Sequence, residues 1–474
     1  MMSTTPSFPD QVKTSLINIC HLFTKCIQRY ALHCSTDGRF AQLIFGADLV
    51  RAHRSLSNND SPAGITQLLT NHFVSFEEKL GTNVKTLAYF IHNLFMDRSL
   101  TEMNTCERRL HLSNINEKLS SIKYISTNKS IVKKEDLDIE LLVGHILDTL
   151  PRLIFDRQDF YHNLLSHLVK HNLDRIDDYL IYNQQLSFVT SGSSIKQSRL
   201  IDGILLPIYN SHKLLSSFIS NSQITIVFLN LQSTEFDKSS LFTIIDHNQE
   251  FISYDTLIYR QFIKNYLINV NLIISSSCIN ELFLFELHQA NINVIDSLDE
   301  QTFEFILKVY QCLPCNRLLI SNDESIDKIS TILLDRHVIV NQQAYIYLSS
   351  NGSHQTLLSC VPTPTLFLTT QKILINIVRL MKYILEQLSK TSCLPISTER
   401  DYLKFIHDNI PELRHILDNR RIYIDKISST NNDQLFPICI FHEYLLNGIN
   451  FLYYINKIDG IYSTTRKIVV EICE

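Results

Sequence analysis

Residues 271–296 read NLIISSSCINELFLFELHQANINVID, and the fold class can be inferred from this stretch before any other. An apolar run at 271–275 precedes a helix-like segment at 279–288, and a second apolar run follows at 293–295. Short apolar runs bounded by polar turns are typical of buried strands. The stretch therefore predicts a strand, a helix and a second strand, which is the repeating unit of an α/β sheet.

The surrounding sequence divides into an α/β part and helical parts. Further strand-like runs stand at 200–206, 224–229 and 345–348. Apolar residues recur near the helical period in residues 10–30, 82–94, 136–150, 371–388, 398–408 and 443–455. We predict a protein of mixed α and α/β class, in which an α/β domain is inserted between helical segments.

Glycine is scarce, with 10 residues in a chain of 474. The two that stand nearest to each other, Gly38 and Gly46, are still separated by seven other residues. The dinucleotide-binding fingerprint, the P-loop, the kinase glycine loop and the nucleophile elbow all need closely spaced glycines. The wide spacing of the glycines in this chain therefore excludes most classes of enzyme that depend on such loops.

Charge, hydropathy and cysteine content indicate the kind of partner and the compartment. The chain carries 43 Lys and Arg against 48 Asp and Glu, without a basic stripe, which predicts no nucleic-acid partner. It has no apolar run of membrane-spanning length and no secretory pattern at its start, so we expect a cytoplasmic protein without membrane insertion. The 11 Cys are an odd number, and we expect them to be reduced.

Two groups of residues suggest metal ligands, and neither is complete. Cys312-Leu-Pro-Cys315 is a CxxC pair without a second ligand pair at zinc-finger spacing. His167 and His171 share a helical face, but no glutamate follows the first to give the HExxH pattern. We therefore expect no metal site.

Four segments, in chain order, resemble the group II chaperonins. They are 198–206 (SRLIDGILL), 223–230 (QITIVFLN), the stretch 271–296 and 451–461 (FLYYINKIDGI). The resemblance implies a chaperonin-like three-domain subunit. Its parts would be a helical equatorial-like domain from residues 1–122 and 393–474, a small intermediate-like domain from 123–197 and 340–392, and an α/β apical-like domain from 198–339.

The resemblance also implies where nucleotide would bind, and the residues there depart from the family pattern. The first loop, Ser35-Thr-Asp-Gly-Arg39, keeps Asp37 and Gly38 without the family's proline. The second, Lys79-Leu-Gly-Thr-Asn83, keeps Gly81 and Thr82 but has Leu80 where the family's magnesium-binding aspartate stands. Asn376 occupies the place of the water-orienting aspartate, and Leu394-Pro-Ile396 replaces a turn of three glycines.

These departures predict that the chain is not an ATPase. A leucine cannot ligate magnesium, and an amide cannot accept a proton from water. A turn without glycine also holds side chains between the backbone amides and a phosphate. We expect no catalytic residue and no cofactor, with ATP and magnesium bound only if the chain is an active chaperonin subunit after all.

Some chaperonin-like proteins have lost residues of the nucleotide site, and they form the McKusick-Kaufman and Bardet-Biedl syndrome group. This chain resembles that group in three segments, Val12–Leu16, 37–39 and 203–205. The resemblance implies a non-hydrolysing assembly factor or chaperone for the ciliary Bardet-Biedl complex. It would act with other chaperonin-like subunits and the cytosolic chaperonin, with ciliary complex subunits as clients, at the centrosome or basal body. Two alternatives stay open: an ATP-dependent chaperonin subunit in protein folding, and a helical scaffold protein without chaperonin ancestry.

Residues 248–270 are predicted to form a helical arm, in the region where the resemblance implies a lid protrusion. Its apolar residues would form an exposed surface that binds a partner or an unfolded client. The candidates are Phe251, Leu257, Ile258, Phe262 and Tyr266. In the alternative interpretation, these residues simply pack on the domain's own sheet.

Overall fold

The structure is a computed structural model. It describes residues 8–25, 31–34, 41–44, 47–56, 63–81, 84–122, 131–133, 187–191, 194, 197–208, 221–231, 243–245, 251–318, 325–340, 343–350, 355–363, 365–391, 393–417 and 436–457. Among the helices of this part of the chain, none combines the length and the hydrophobicity needed to cross a membrane.

The chain divides into two compact units. The first is formed by residues 1–177 together with 368–474, and the second by residues 178–367. The first unit is therefore built from both ends of the chain, and the second is inserted between them. The finer division into equatorial-like, intermediate-like and apical-like domains stays a prediction.

Helices and strands are both present, which confirms the predicted mixed class in its coarse form. The helices are α1 (Phe8–Lys25), α2 (Ala47–Leu56), α3 (Ala63–Leu80), α4 (Val84–Met96), α5 (Arg98–Glu102), α6 (Thr105–Ser121), α7 (Tyr254–Tyr266), α8 (Glu281–Gln289), α9 (Glu300–Tyr310), α10 (Thr365–Thr391), α11 (Glu399–Asn409) and α12 (Ile438–Ile455), with a short 3-10 helix at Pro411–Leu413. The strands are β1 (Ala31–Cys34), β2 (Ala41–Ile44), β3 (Ile131–Lys133), β4 (Ser187–Ser191), β5 (Arg199–Ile201), β6 (Ile204–Pro207), β7 (Ser222–Leu229), β8 (Thr243–Ile245), β9 (Phe251–Ser253), β10 (Leu272–Ser275), β11 (Asn293–Ile295), β12 (Ile329–Val340), β13 (Gln343–Leu348), β14 (Thr356–Val361), β15 (Cys393–Ser397) and β16 (Phe436–Pro437).

In the first unit, α12 near the C-terminus packs against α4 and α6 from the N-terminal part. Gly448 allows the close approach to α4, because a Cβ at this position would overlap the ring of Phe90. The Phe90 ring in turn meets Tyr444 edge to face, with the ring centroids 6.1 Å apart. The unit also contains the β1–β2 hairpin and a small sheet in the order β16-β15-β3.

Two arginines of α6 hold the C-terminal end of α12. Arg108 Nη1 donates to Asn456 Oδ1 at 3.1 Å, and Arg109 Nε donates to the Asn456 carbonyl at 2.7 Å. The Arg108 guanidinium also donates to the carbonyls of Leu100, Thr101 and Met103, at or beyond the C-terminal turn of α5. Cations at helix C-terminal ends are favourable, because the free carbonyls there carry partial negative charge.

The second unit contains a six-stranded sheet in the order β11-β10-β7-β12-β13-β6. Strands β7, β10 and β11 are parallel to one another, and the remaining neighbours pair antiparallel. The β10-α8-β11 segment is the strand-helix-strand unit predicted from residues 271–296. A three-stranded sheet in the order β4-β14-β5 and the β8–β9 hairpin complete the described strands of this unit.

The predicted single strand at 200–206 is instead two strands that belong to different sheets. The break falls at Gly203, whose φ of +153° is a conformation that other residues rarely adopt. A Cβ at this position would overlap the Leu348 carbonyl oxygen. Strand β5 pairs with β14 in the three-stranded sheet, and β6 pairs with β13 in the six-stranded sheet. The chain passes from one sheet to the other at this position, and a glycine is needed there.

Candidate functional site

The candidate site is the place in the first unit where the family resemblance implies nucleotide binding. Leu80, Gly81 and Asn376 lie within the described residues, and the structure brings Gly81 and Asn376 together. Asp37, Gly38 and Thr82 lie outside the described residues.

Leu80 is the last residue of α3, and its side chain is fully buried. The position at which the resemblance implies a magnesium ligand is therefore filled by a core residue. A buried aliphatic side chain stabilises the fold by leaving water, and it offers no electron pair to a metal.

Gly81 has a φ of +69°, in the left-handed region that favours glycine. Its N–H donates to the Glu77 carbonyl at 2.6 Å and so closes the end of α3. A Cβ at Gly81 would overlap the carbonyl oxygen of Asn376 in α10. Two backbone segments are thus in direct contact here, and no phosphate group fits between them in this conformation.

Asn376 is 1% exposed, and its amide makes little use of its hydrogen-bonding capacity. Its Oδ1 accepts a long hydrogen bond of 3.5 Å from Arg379 Nη1. Its Nδ2 has no hydrogen-bond partner among the residues that the structure describes. An amide in this setting can neither take a proton from water nor balance the charge of a metal.

Lys372, one helical turn before Asn376, supplies a cation to the same region. Its Nζ lies 2.6 Å from Asp48 Oδ2 in α2 and 3.0 Å from Glu77 Oε2 in α3. Asp48 also pairs with Arg51, at 3.1 Å. Burial raises the pKa of Glu77, and the ammonium of Lys372 opposes that rise. Lys372 and Arg51 therefore supply one cation for each of the two carboxylates.

The third nucleotide-binding segment of the resemblance is a strand in the structure. Leu394-Pro-Ile396 lies within β15, where Pro395 pairs with Ile131 of β3 and Ile396 pairs with Pro437 of β16. Thr398 then caps α11 by accepting from the Asp401 N–H at 3.0 Å. An extended strand paired on both sides replaces the tight turn that would wrap a phosphate.

A polar cluster that the sequence did not suggest links α3, α10 and α12. Lys79 is ion-paired with Glu443, which also accepts from the Tyr383 hydroxyl at 3.1 Å and from Asn447 Nδ2 at 2.9 Å. Burial, followed by the charge of Glu443, raises the pKa of Tyr383. Lys79 and Tyr383 stand 364 and 60 positions from Glu443, so no local pattern could have revealed the cluster. Its groups bond one another, which indicates a structural role.

The proposed partner-binding arm is corrected by the structure. Residues 251–253 form strand β9, and the helix spans only Tyr254–Tyr266. Ile258 and Phe262 are buried, because α7 packs against α8 through aromatic contacts of Phe262 and Tyr259 with Phe283. Leu257 and Tyr266 are half-buried. Ile258 and Phe262 therefore follow the alternative interpretation, in which the helix packs within its own unit.

The candidate metal ligands do not assemble into a site within the described residues. No group of three or more His, Cys, Asp or Glu side chains with metal-binding geometry occurs in that part of the chain. Cys312 is buried, and burial raises the pKa of its thiol to about 11, which opposes the thiolate that binds metals. Cys315 Sγ donates to the Arg317 carbonyl at 3.0 Å. His167 and His171 lie outside the described residues.

No protein-family model matches this chain, and no curated protein matches it.

Proposed function

We propose that this chain is a chaperonin-like protein that no longer hydrolyses nucleotide and that acts as an assembly factor or chaperone for a ciliary complex of the Bardet-Biedl type. In this proposal the first unit holds the equatorial-like domain, and the second unit holds the apical-like domain at 198–339. The intermediate-like domain, at 123–197 and 340–392, is shared between the two units. The partners of the chain are other chaperonin-like subunits and the cytosolic chaperonin, and its place is the cytoplasm at the centrosome or basal body.

The observation that carries the loss of hydrolysis is the contact between Gly81 and Asn376. A backbone carbonyl stands against the glycine at the place where the family resemblance implies phosphate and magnesium binding. Leu80 is in the core, and the nearby carboxylates are paired with Lys372. Phosphoryl transfer needs metal, donors and a positioned water together, so losing all of them leaves no partial activity.

The chain topology supports the chaperonin-like part of the proposal. Helix α12 packs on α4 and α6, so one unit is formed from both chain ends, while a mixed sheet with a strand-helix-strand unit lies between them in sequence. This order agrees with the arrangement that the four resembling segments imply. A scaffold without chaperonin ancestry would have no reason to keep all four in this order.

Purified protein should hydrolyse ATP no faster than buffer when magnesium is present, and Asn376→Asp should not change this. The new carboxylate would be buried beside a backbone contact, without a metal-bound phosphate to act on. The measurement is phosphate release together with the melting temperature in millimolar nucleotide, which should not rise. A thermal shift that needs nucleotide and magnesium together, or turnover that is lost on mutating Asp37 or Glu399, would support the active chaperonin alternative instead.

Partner capture can be tested on the apolar side chains that the second unit exposes. Leu282 and Phe285 of α8 are 50% and 56% exposed and lie one turn apart. Tagged protein from ciliated cells should recover chaperonin subunits and ciliary complex subunits by mass spectrometry, and Phe285→Asp should reduce recovery about tenfold. Leu110→Asp is the matched control, because Leu110 is also exposed but lies on α6 in the first unit.

Recovery of neither class of partner by the unmodified protein would contradict the proposed function and favour the scaffold alternative. Equal losses in Phe285→Asp and Leu110→Asp would show that general surface hydrophobicity, and not α8, is responsible. Circular dichroism of both variants checks that each substitution leaves the fold intact.

A further inference from the structure

A cationic and aromatic surface lies at the C-terminal end of α12, in the first unit. Two arginines of α6 and one lysine bring their positive charges together there, beside two tyrosines of the last helical turn. We call it the α12 end surface, and its residues are Arg108, Arg109, Tyr453, Tyr454 and Lys457. It shares no residue with the candidate site around Gly81 and Asn376.

The two arginines are held in place by a buried residue, Asn456, which is the C-cap of α12. Asn456 is 5% exposed, and its Nδ2 donates to the Leu452 carbonyl at 2.8 Å. Its Oδ1 accepts from Arg108 and its carbonyl accepts from Arg109. The positions of both guanidinium groups are therefore fixed before a partner arrives, which reduces the entropy that binding costs.

Lys457 is held by aromatic rings and not by a hydrogen-bond acceptor. Its Nζ lies 4.2 Å from the ring centroid of Tyr453 and 5.7 Å from that of Tyr454, within the range of cation–π attraction. The ammonium makes no hydrogen bond and no ion pair with any residue that the structure describes. Its N–H donors are therefore directed to solvent or to an acceptor outside the chain.

The positive charge at this surface is only partly offset by the chain. All hydrogen bonds of Arg108 within the described residues go to neutral oxygens, so neither it nor Lys457 is paired with a carboxylate there. The free carbonyls of a helix C-terminus carry about half a negative charge, and Arg109 adds a further cation. Glu107 is the carboxylate next to Arg108 in sequence, and its Oε2 accepts from the Asn104 N–H at 3.2 Å. The surface therefore favours an anionic partner.

The aromatic side chains indicate that this partner is a protein. Tyr454 is 61% exposed, and tyrosine and arginine are enriched among the residues that dominate protein interfaces. A nucleic-acid base would need an open ring face, but the Lys457 ammonium already covers one face of Tyr453. The net charge of −5 also repels a long polyanion more strongly than a short acidic segment.

We propose that the α12 end surface binds an acidic peptide segment of a partner protein. Carboxylates of the segment accept from the Lys457 ammonium within the positive potential of the two arginines. An apolar side chain of the segment packs on the exposed ring of Tyr454. The inference goes beyond the proposed function and does not depend on it, because the client-binding residues considered there are on α8 in the second unit.

The test is the fluorescence anisotropy of a labelled peptide that is titrated with the purified chain. The probe is a fluorescein-labelled peptide of about ten residues, rich in glutamate and with one central phenylalanine. We expect saturable binding with a dissociation constant on the order of 10⁻⁵ M at low salt, and weaker binding as the salt concentration rises. The same peptide with glutamine in place of glutamate should not bind.

Two variants of exposed residues test the surface without disturbing Asn456. Lys457→Glu should weaken peptide binding about tenfold, because the reversed charge repels the carboxylates, and Tyr454→Ala should weaken it about fivefold. Lys264→Glu is the matched control, since Lys264 is also exposed and lies in the last turn of α7 in the second unit. It changes the net charge by the same amount and should leave the affinity unchanged. The melting temperature of each variant checks that the fold is intact.

Equal losses of affinity in Lys457→Glu and Lys264→Glu would overturn the proposal, because net charge alone would then explain the binding. Absence of peptide binding up to about 10⁻⁴ M protein would overturn it as well. The titration is repeated with a single-stranded RNA oligomer and with vesicles that contain phosphatidylserine. Tighter binding of either probe that is lost in Lys457→Glu would assign the surface to that polyanion and reject the acidic peptide.

Discussion

Replacing Gly81 by alanine should lower the free energy of unfolding of the protein by about 3 kcal/mol. The φ of +69° costs a residue with a side chain about 1–2 kcal/mol. The new Cβ would also overlap the Asn376 carbonyl, and two helix-bound backbones cannot separate without disturbing the core. Urea unfolding followed by circular dichroism measures the change, with the slope of the transition as a check on two-state behaviour.

Asn376→Ala tests whether the backbone or the side chain of Asn376 makes the contact with position 81. Alone it should cost about 1 kcal/mol or less, because the amide it removes makes a single long hydrogen bond within the described part of the chain. Introduced into the Gly81→Ala background it should restore nothing, since alanine keeps the carbonyl that the new Cβ meets. Recovery of wild-type stability in the double variant would mean that the side chain of Asn376, not its backbone, closes the site.

Lys372→Met should destabilise the protein by about 3 kcal/mol at pH 8 and by clearly less at pH 5. Removal of the ammonium leaves Glu77 buried without its counter-charge, while Asp48 keeps Arg51. Burial already raises the pKa of Glu77, and loss of Lys372 raises it further. A carboxyl group whose pKa is raised by folding contributes stability at low pH and loses it as the pH rises through the folded value.

Lys382→Met is the control for this prediction. Lys382 lies on the same helix and pairs with Glu386 one turn away at 3.8 Å, and the two side chains are 36% and 49% exposed. Exposed pairs of this kind contribute only a few tenths of a kcal/mol, so the variant should be nearly neutral at both pH values. Equal destabilisation by both substitutions would show that the helix, and not the buried ion pair, is sensitive to the change.

The strand-helix-strand unit at 272–295 could be predicted because its information is local. The apolar runs, the polar turns and the Asn280 cap of α8 all stand within that stretch. Helices α1, α4, α10, α11 and α12 could be predicted for the same reason, whereas α2, α3 and α5 were not predicted. Helix α6 was missed although Asn104 and Glu107 form a capping box, because its hydrophobic pattern is weak.

The contacts that define the candidate site could not be predicted from sequence. Lys372 meets Asp48 across 324 positions, and no periodicity or motif encodes such a pair. The family resemblance suggested that Leu80 and Asn376 belong to one site, but it gave no sign that backbone contact closes it. The amphipathic helix at 254–266 was recognisable, yet its sequence could not say that its apolar face would be covered by α8.

The packing of α12 on α4 and α6 has a consequence for the synthesis of the chain. Helices α4 and α6 leave the ribosome long before residue 438, and at about 5–20 residues per second the delay is roughly 15 to 60 s. During that time the apolar faces that α12 will cover stand open on the nascent chain, while the inserted second unit is being synthesised. The first unit can therefore be completed only after residues 438–455 have been synthesised, and we expect its uncovered apolar faces to be prone to aggregation until then.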